Sequence, residues 1–406
     1  MRKIARVLLL LFAFAIPWEY SLDLGEPLGN VARIAGLLLL LAAVPAVLQA
    51  GRLRAPGPLQ WMVLALYLWF CCSYFWTIVP LDTLEKMRAY FQEMMIVWLV
   101  WEFAECPSDL RDLLRAYVAG SLVLAALTIA NLGSAEAIAA GQIRFVAAGQ
   151  DPNDVARFLD LGFPLAALLL NSESRWPGRL LALSYLPLGL FAVLLTASRG
   201  GFLAALAAFA GCALLLFRGH ARGVLAVAFA LPLIAAVLWF SVPRQTFERL
   251  ATIPAQLQGG DLNQRLNIWS AGWHAFVQSP LIGTGAGSFV NAARLNPLDT
   301  AHNTALSILV GGGLFALFLA LSILALAARS AMQTHGPMRG ALATALLVWV
   351  ITSMVATVEE SRTTWLLFGM VALAGRLAVE EPERMAACFE ADTGRREIVL
   401  SPEPVA

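Results

Sequence analysis

The chain has 406 residues, 59% hydrophobic and only 14% charged, well below the roughly 25% charged that soluble domains carry. Its net charge is +1, and no basic face or stacking motif accompanies it, so a nucleic-acid partner is excluded. Apolar runs of about 20 residues, the length of a bilayer-spanning helix, recur throughout. Backbone polar groups in lipid must be satisfied internally, so the sequence reads as an all-α polytopic membrane protein.

The N-terminus carries Arg2, Lys3 and Arg6 before an apolar run ending in Ala13-Phe14-Ala15. That pattern is similar to a signal peptide, but is read here as an uncleaved first helix. Hydropathy predicts twelve spans: 5–20, 31–49, 59–79, 89–104, 113–131, 156–171, 180–196, 201–217, 222–241, 303–328, 339–358 and 364–378. The organisation is then nine spans over residues 1–241, a long external loop over 242–302, three more spans over 303–378 and a tail over 379–406. With the N-terminus inside, the cytoplasmic segments hold thirteen basic residues and the opposite short loops seven, which favours both termini in the cytoplasm and the long loop outside. The tail carries seven acids and three arginines without a hydrophobic pattern and is expected to be a solvated end. None of the five cysteines has metal-site spacing or a place where a disulfide is expected, and all five read as inert filler.

The external basic residues run against that charge rule and each needs a reason. Arg33, Lys86, Arg88 and Arg144 can snorkel to headgroups from helix ends. Arg157 and Arg199 stand instead at the mouths of very apolar helices, within Asp151-Pro152-Asn153-Asp154-Val155-Ala156-Arg157 and Thr196-Ala197-Ser198-Arg199-Gly200-Gly201. An arginine at membrane depth that does not face lipid pairs with a ligand or an acid. Asp151 and Asp154 are read as partners of Arg157 rather than as metal ligands, and no multi-carboxylate or His-rich loop reads as a metal site.

Within the long loop, residues 263–278 predict a helix with Asn263 as N-cap and an apolar stripe of Leu266, Trp269, Trp273 and Phe276. Tryptophans on such a stripe favour the headgroup level, which places the helix on the membrane surface. Arg265 at its start fits either an interfacial anchor or a guanidinium presented to phosphate oxygens. Gly283-Thr284-Gly285-Ala286-Gly287 lacks the strand and βαβ context of a nucleotide cradle and reads as a tight turn after Ser279-Pro280. His302 is the one histidine of four at the external mouth of a span, next to Asn303, a candidate helix cap. It fits a hydrogen-bonding structural residue or a general base that takes a hydroxyl proton near neutral pH. Arginines can neutralise a pyrophosphate leaving group where a metal otherwise would.

Arg265-x3-Trp269, Ser279-Pro280-Leu281-Ile282-Gly283-Thr284-Gly285 and Ala301-His302-Asn303, in that order, resemble the hallmark region of the O-antigen ligase and polymerase superfamily over residues 263–315. The 151–154 and 196–201 segments are similar to family segments upstream of it. The span number and single long external loop look most like an O-antigen ligase. The resemblance implies a GT-C-type glycosyltransferase of the Gram-negative inner membrane, working at its periplasmic face without a cofactor. It would transfer O-antigen polysaccharide from undecaprenyl pyrophosphate to a lipid A–core sugar hydroxyl by a metal-independent, inverting displacement. Carried onto this chain, His302 would activate the acceptor, Arg199 and Arg265 would hold the donor pyrophosphate, and Arg157 would add a phosphate or acceptor contact. Asn303, Asp154 and Trp269 would support them. The stretch Val310-Gly311-Gly312-Gly313 lacks the acid the family often shows there. A polysaccharide polymerase of the superfamily is the alternative, although the other sizeable external loop, 132–155, is short for one. A transporter of lipid-linked sugar would show two related halves with broken helices at the midplane, and no such repeat is visible.

Overall fold

The computed structural model describes residues 1–25, 29–134, 144–173, 175–217, 239–262, 264–297 and 299–389. The described residues form sixteen α-helices, which we number α1 to α16. They are α1 (Arg2–Ala15), α2 (Val31–Ala50), α3 (Pro58–Cys72), α4 (Pro80–Phe103), α5 (Pro107–Leu132), α6 (Pro152–Ser172), α7 (Trp176–Leu195) and α8 (Arg199–Phe217). Four short helices follow: α9 (Arg244–Ala251), α10 (Ile253–Leu257), α11 (Arg265–Gln278) and α12 (Phe289–Ala292). The chain ends in α13 (Thr304–Gln333), α14 (Gly336–Ser353), α15 (Arg362–Glu380) and α16 (Pro382–Phe389).

Among the described residues nine helical segments are long and apolar enough to cross a membrane, α1 and α3 together with the 3-10 turns that extend them to Ser21 and Phe75. Two of the twelve expected spans are helices that miss that measure. The helix α4 does so because charged residues from Asp82 to Glu102 are spread along it, and α8 because its apolar stretch is short. The expected span 222–241 lies almost wholly outside the described residues. The long loop folds into α9 to α12, of which α11 matches the helix predicted over 263–278. At the C-terminus the reading differs: α15 runs on through Val379 to Glu380, and Met385 and Phe389 of α16 are buried, so the start of the tail packs on the bundle.

The bundle centres on α6 and α15. Every residue from Val155 to Leu169 and from Thr363 to Ala378 is buried, whereas α2 turns Leu37, Leu41, Val44 and Leu48 outward. Pro152 starts α6 at a position where a missing N–H costs nothing, and the Asp151 carboxylate caps it by accepting from the Asn153 and Asp154 N–H groups at 2.8 and 3.4 Å. Connections alternate ends, so the starts of α4, α6, α8, α13 and α15 meet at one end of the bundle. The ends of α4, α13 and α15 meet at the other.

The helix α13 is not one smooth span. Gly313 adopts φ 70° and ψ −168°, breaking it near its third turn. The carbonyls freed by the break pair with the Gly283–Gly285 turn: the Thr284 N–H donates to the Val310 carbonyl at 2.8 Å and the Gly285 N–H to the Gly311 carbonyl at 2.9 Å. A Cβ on Gly283 would stand 2.6 Å from the Gly311 carbonyl carbon, at a φ of +70°, so both space and conformation require glycine. The glycine-rich turn is therefore a wedge that fixes the loop against the broken helix.

Candidate active site

A cavity of about 570 Å³ opens at the end where α4, α6, α13 and α15 begin. Asp154 and Arg157 from α6, His302 before α13, Asp299 and Lys86 with Glu360 line it. A small recess adjoins it, sharing Asn153 and Arg157 and adding Arg265 and Ser198. Sequence distance of nearly 150 residues between Arg157 and His302 is thus closed by the bundle.

Arg157 is 4% exposed. Its Nη2 donates to Asp154 Oδ1 at 2.8 Å, and its guanidinium lies 4.9 Å from the Phe158 ring centre. Nε and Nη1 are buried with no hydrogen-bond partner in the protein. Buried donors of a charged group are costly to leave unmatched. The guanidinium is set up with two of its three nitrogens available to something else.

The motif at 196–201 is the turn between α7 and α8. Ala197 has a left-handed φ of 48°, unusual for a side chain with Cβ. Ser198 Oγ donates to Asn153 Oδ1 at 2.9 Å, tying this turn to the start of α6. Arg199 does not line the main cavity: its Nε reaches the Arg249 carbonyl at 3.4 Å, while Arg249 Nε donates to the Ala197 carbonyl at 3.1 Å. Arg144, expected to snorkel, instead donates to the Thr196 carbonyl at 2.9 Å and to Asn153 Oδ1 at 3.1 Å, because the turn offers it acceptors that lipid does not. Lys86 likewise does not snorkel; it pairs with Glu360 at 2.5 Å inside the cavity. Arg33 and Arg88 are exposed, as expected of them.

Five arginines, 144, 157, 199, 249 and 265, therefore gather about one turn. Their crowding is felt. Burial and then the charges of Arg249, Arg265 and Arg199 bring the Arg144 pKa down to about 10, with Asp151 opposing. Burial and Arg199 also lower those of Arg249 and Arg265. Five guanidinium groups beside Asp151 and Asp154 leave an excess of positive charge that favours an anion. Arg144 and Arg249 escaped sequence reasoning; a count of external arginines per loop was the signal that could have found them.

His302 sits in a strained loop, with φ 45°. Trp269 Nε1 donates to the Ala301 carbonyl at 3.1 Å, and Asn303 Oδ1 caps α13 by accepting from the Leu306 N–H at 3.0 Å. Asn303 Nδ2 also donates to the Met354 carbonyl at 3.3 Å, and Thr304 Oγ1 to the Ala356 carbonyl at 2.9 Å. These bonds hold the strained turn from both sides. His302 Nδ1 lies 3.3 Å from Thr300 Oγ1. Burial first, and the Arg265 charge second, lower its pKa below 6.5, opposed by Asp151, Asp299 and Asp154. Both effects favour the neutral imidazole, which has a lone pair free to take a proton.

The helix carrying Arg265 begins at that residue, after Gln264 with φ 63°; the expected cap, Asn263, lies outside the described residues. Its packed face is Ile268, Gly272, Ala275 and Phe276, while Leu266 and Trp273 of the expected stripe are exposed. The packed face docks on α13, which leaves Leu266 and Trp273 pointing away from protein.

An O-antigen ligase family model matches residues 184–321, from the middle of α7 into α13. Over that stretch, about a third of its length, the chain is similar to the O-antigen ligase family. No curated protein matches it in a direct search. The superfamily region takes in the 196–201 turn, the surface helices, the glycine wedge and His302, whereas Arg157 and Asp154 on α6 stand before it and reach the same cavity through the fold.

Proposed function

We propose that the chain is an O-antigen ligase: a periplasmic-face, metal-independent, inverting glycosyltransferase of the Gram-negative inner membrane. It moves O-antigen polysaccharide from undecaprenyl pyrophosphate to lipid A–core. The observation that carries the reading is the buried Arg157 guanidinium, with Nε and Nη1 unmatched, in the cavity it shares with a neutral His302.

The chemistry follows from charge. The donor diphosphate occupies the arginine-rich corner, where Arg157 and Arg265 face it and Arg144, Arg199 and Arg249 raise the positive potential behind them. The acceptor sugar lies on the opposite wall, where the Lys86–Glu360 pair and Asp299 offer hydrogen-bond partners to hydroxyls. Neutral His302 removes the acceptor O–H proton as its oxygen attacks the anomeric carbon. The carbon–oxygen bond to the diphosphate breaks, the pyrophosphate leaves with the electron pair, and the guanidinium charges offset the charge that develops on it. The proton on His302 then passes to solvent. Attack opposite the leaving group inverts the anomeric centre.

The test is reconstitution of the purified chain in detergent with lipid-linked O-antigen donor and lipid A–core. Formation of glycosylated lipid A–core that is lost in His302→Ala supports the ligase. Elongation of the lipid-linked glycan without transfer to lipid A–core would replace it with a polymerase, and no new glycosidic bond under any condition would refute both.

A further inference from the structure

A second cavity, of about 280 Å³, lies at the opposite end of the bundle, where α3 begins and α4, α13 and α15 end. Its walls are partly apolar, from Leu59, Leu326 and Val379, but three polar groups face it without a full set of partners. Gln60 is 1% exposed; its Oε1 accepts from the Gly57 N–H at 3.1 Å, and its Nε2 has no hydrogen-bond partner. Arg376 is 8% exposed and spends Nη1 and Nη2 on the Trp101 and Ala104 carbonyls at 3.0 and 2.7 Å. Its Nε makes no hydrogen bond, the nearest acid being Glu380 at 3.6 Å. Arg329 stands exposed at the rim.

Such buried donors are costly unless a ligand matches them. The level of the cavity names the ligand. Trp101 forms one wall, under the Arg376 guanidinium at 4.6 Å from its ring centre, and Trp61 and Trp98 pair edge to face at 6.4 Å on the neighbouring helix surfaces. Tryptophans gathered at one depth mark the headgroup level of a bilayer, and basic pockets between helices at that depth take lipid phosphates. Two arginines against the single Glu380, an amide donor and an apolar rim match an anionic headgroup with its glycerol and first methylenes.

We propose that this cavity seats the headgroup of one anionic phospholipid, its phosphate held by Arg376 and Arg329 and a glycerol or ester oxygen by Gln60 Nε2. The site is independent of the transfer reaction and would stand if that reading failed.

The experiment is native mass spectrometry of the delipidated full chain in detergent. It is titrated in turn with phosphatidylglycerol, phosphatidylcholine of the same acyl chains and inorganic phosphate. The chain should retain one phosphatidylglycerol about tenfold better than phosphatidylcholine, whose choline cation offsets the same phosphate beside the two arginines. Arg329→Gln, at the exposed rim, should lose most of that preference while its Tm stays near that of the parent, and Arg329→Glu should abolish it. Equal retention of the two lipids by the parent would overturn the proposal, as would undiminished preference in either variant, or binding of inorganic phosphate without phosphatidylglycerol.

Discussion

Glu359 allows a stability prediction with its magnitude set by the fold. It lies in the loop between α14 and α15, fully enclosed, with neither carboxyl oxygen hydrogen-bonded although Ser307 lies close enough to favour its charged form. Burial, reinforced by Glu360, raises its pKa from 4.5 to about 7. A raised carboxyl pKa means that the folded chain binds the proton more tightly than the unfolded one. The contribution is therefore complete below pH 4.5 and is lost as pH rises through about 7. A rise of this size corresponds to about 3 kcal/mol lost by pH 8, at about 1.4 kcal/mol per pKa unit. Glu359→Gln keeps the shape and removes the ionisation, so its stability should lack this slope. Taking about 2 cal/mol/K of unfolding entropy per residue, the variant should gain roughly 3 °C in Tm over the parent between pH 5 and pH 8. Thermal unfolding followed by tryptophan fluorescence in one detergent, at half-unit pH steps, reads the gap. A gap that stays flat with pH, or a parent that gains stability toward pH 8, would refute the reasoning.

Arg157→Ala should lower transfer by about 10²- to 10³-fold, the size of losing one preformed donor to developing charge, and Arg157→Lys should recover little of it because a point charge cannot span two oxygens; steady-state transfer rates check both. The acid limb of the pH–rate profile should sit below the usual histidine range, since protonation of His302 stops the base. Arg265→Gln should move that limb to higher pH by removing a neighbouring positive charge, and Asp299→Asn should move it to lower pH by removing a negative one; limbs that stay still in both would remove His302 from the base role. Gly283→Ala should cut the yield of folded protein and lower Tm by several degrees, because its Cβ would meet the Gly311 backbone at a φ that disfavours it.

Much of this arrangement was legible in the sequence because the residues in question sit at helix ends, where polarity interrupts apolar runs. Asn303 caps its helix as its residue type suggests, and Asp154 pairs with Arg157 at the spacing of one helical turn, whereas Asp151, expected to be another partner of Arg157, caps α6 instead. What was not legible depends on contacts between distant segments. Arg144 and Lys86 look like snorkelling residues until the fold supplies the Thr196 carbonyl and Glu360. Hydropathy treats 303–328 as one span, since glycine does not interrupt an apolar window, and the break at Gly313 exists only because the 283–285 turn claims its neighbours' carbonyls. The expected stripe of Leu266, Trp269, Trp273 and Phe276 divides on folding, because Phe276 packs on protein beside Ile268 and Gly272 while Leu266 and Trp273 are exposed.

The charge layout also ties the two halves of the proposed reaction together. Arg265 lowers the His302 pKa while no anion is present, so the resting base is neutral but weak. A diphosphate in the arginine corner would offset that field and strengthen His302 as a base at the moment the donor is in place. Asp151 and Asp154 already do this in part. Arg265 is thus better placed than Arg199 to link donor binding to deprotonation of the acceptor: it faces the recess shared with Arg157 and is the largest charged influence on His302, whereas Arg199 turns toward Arg249 and acts on the cluster from behind.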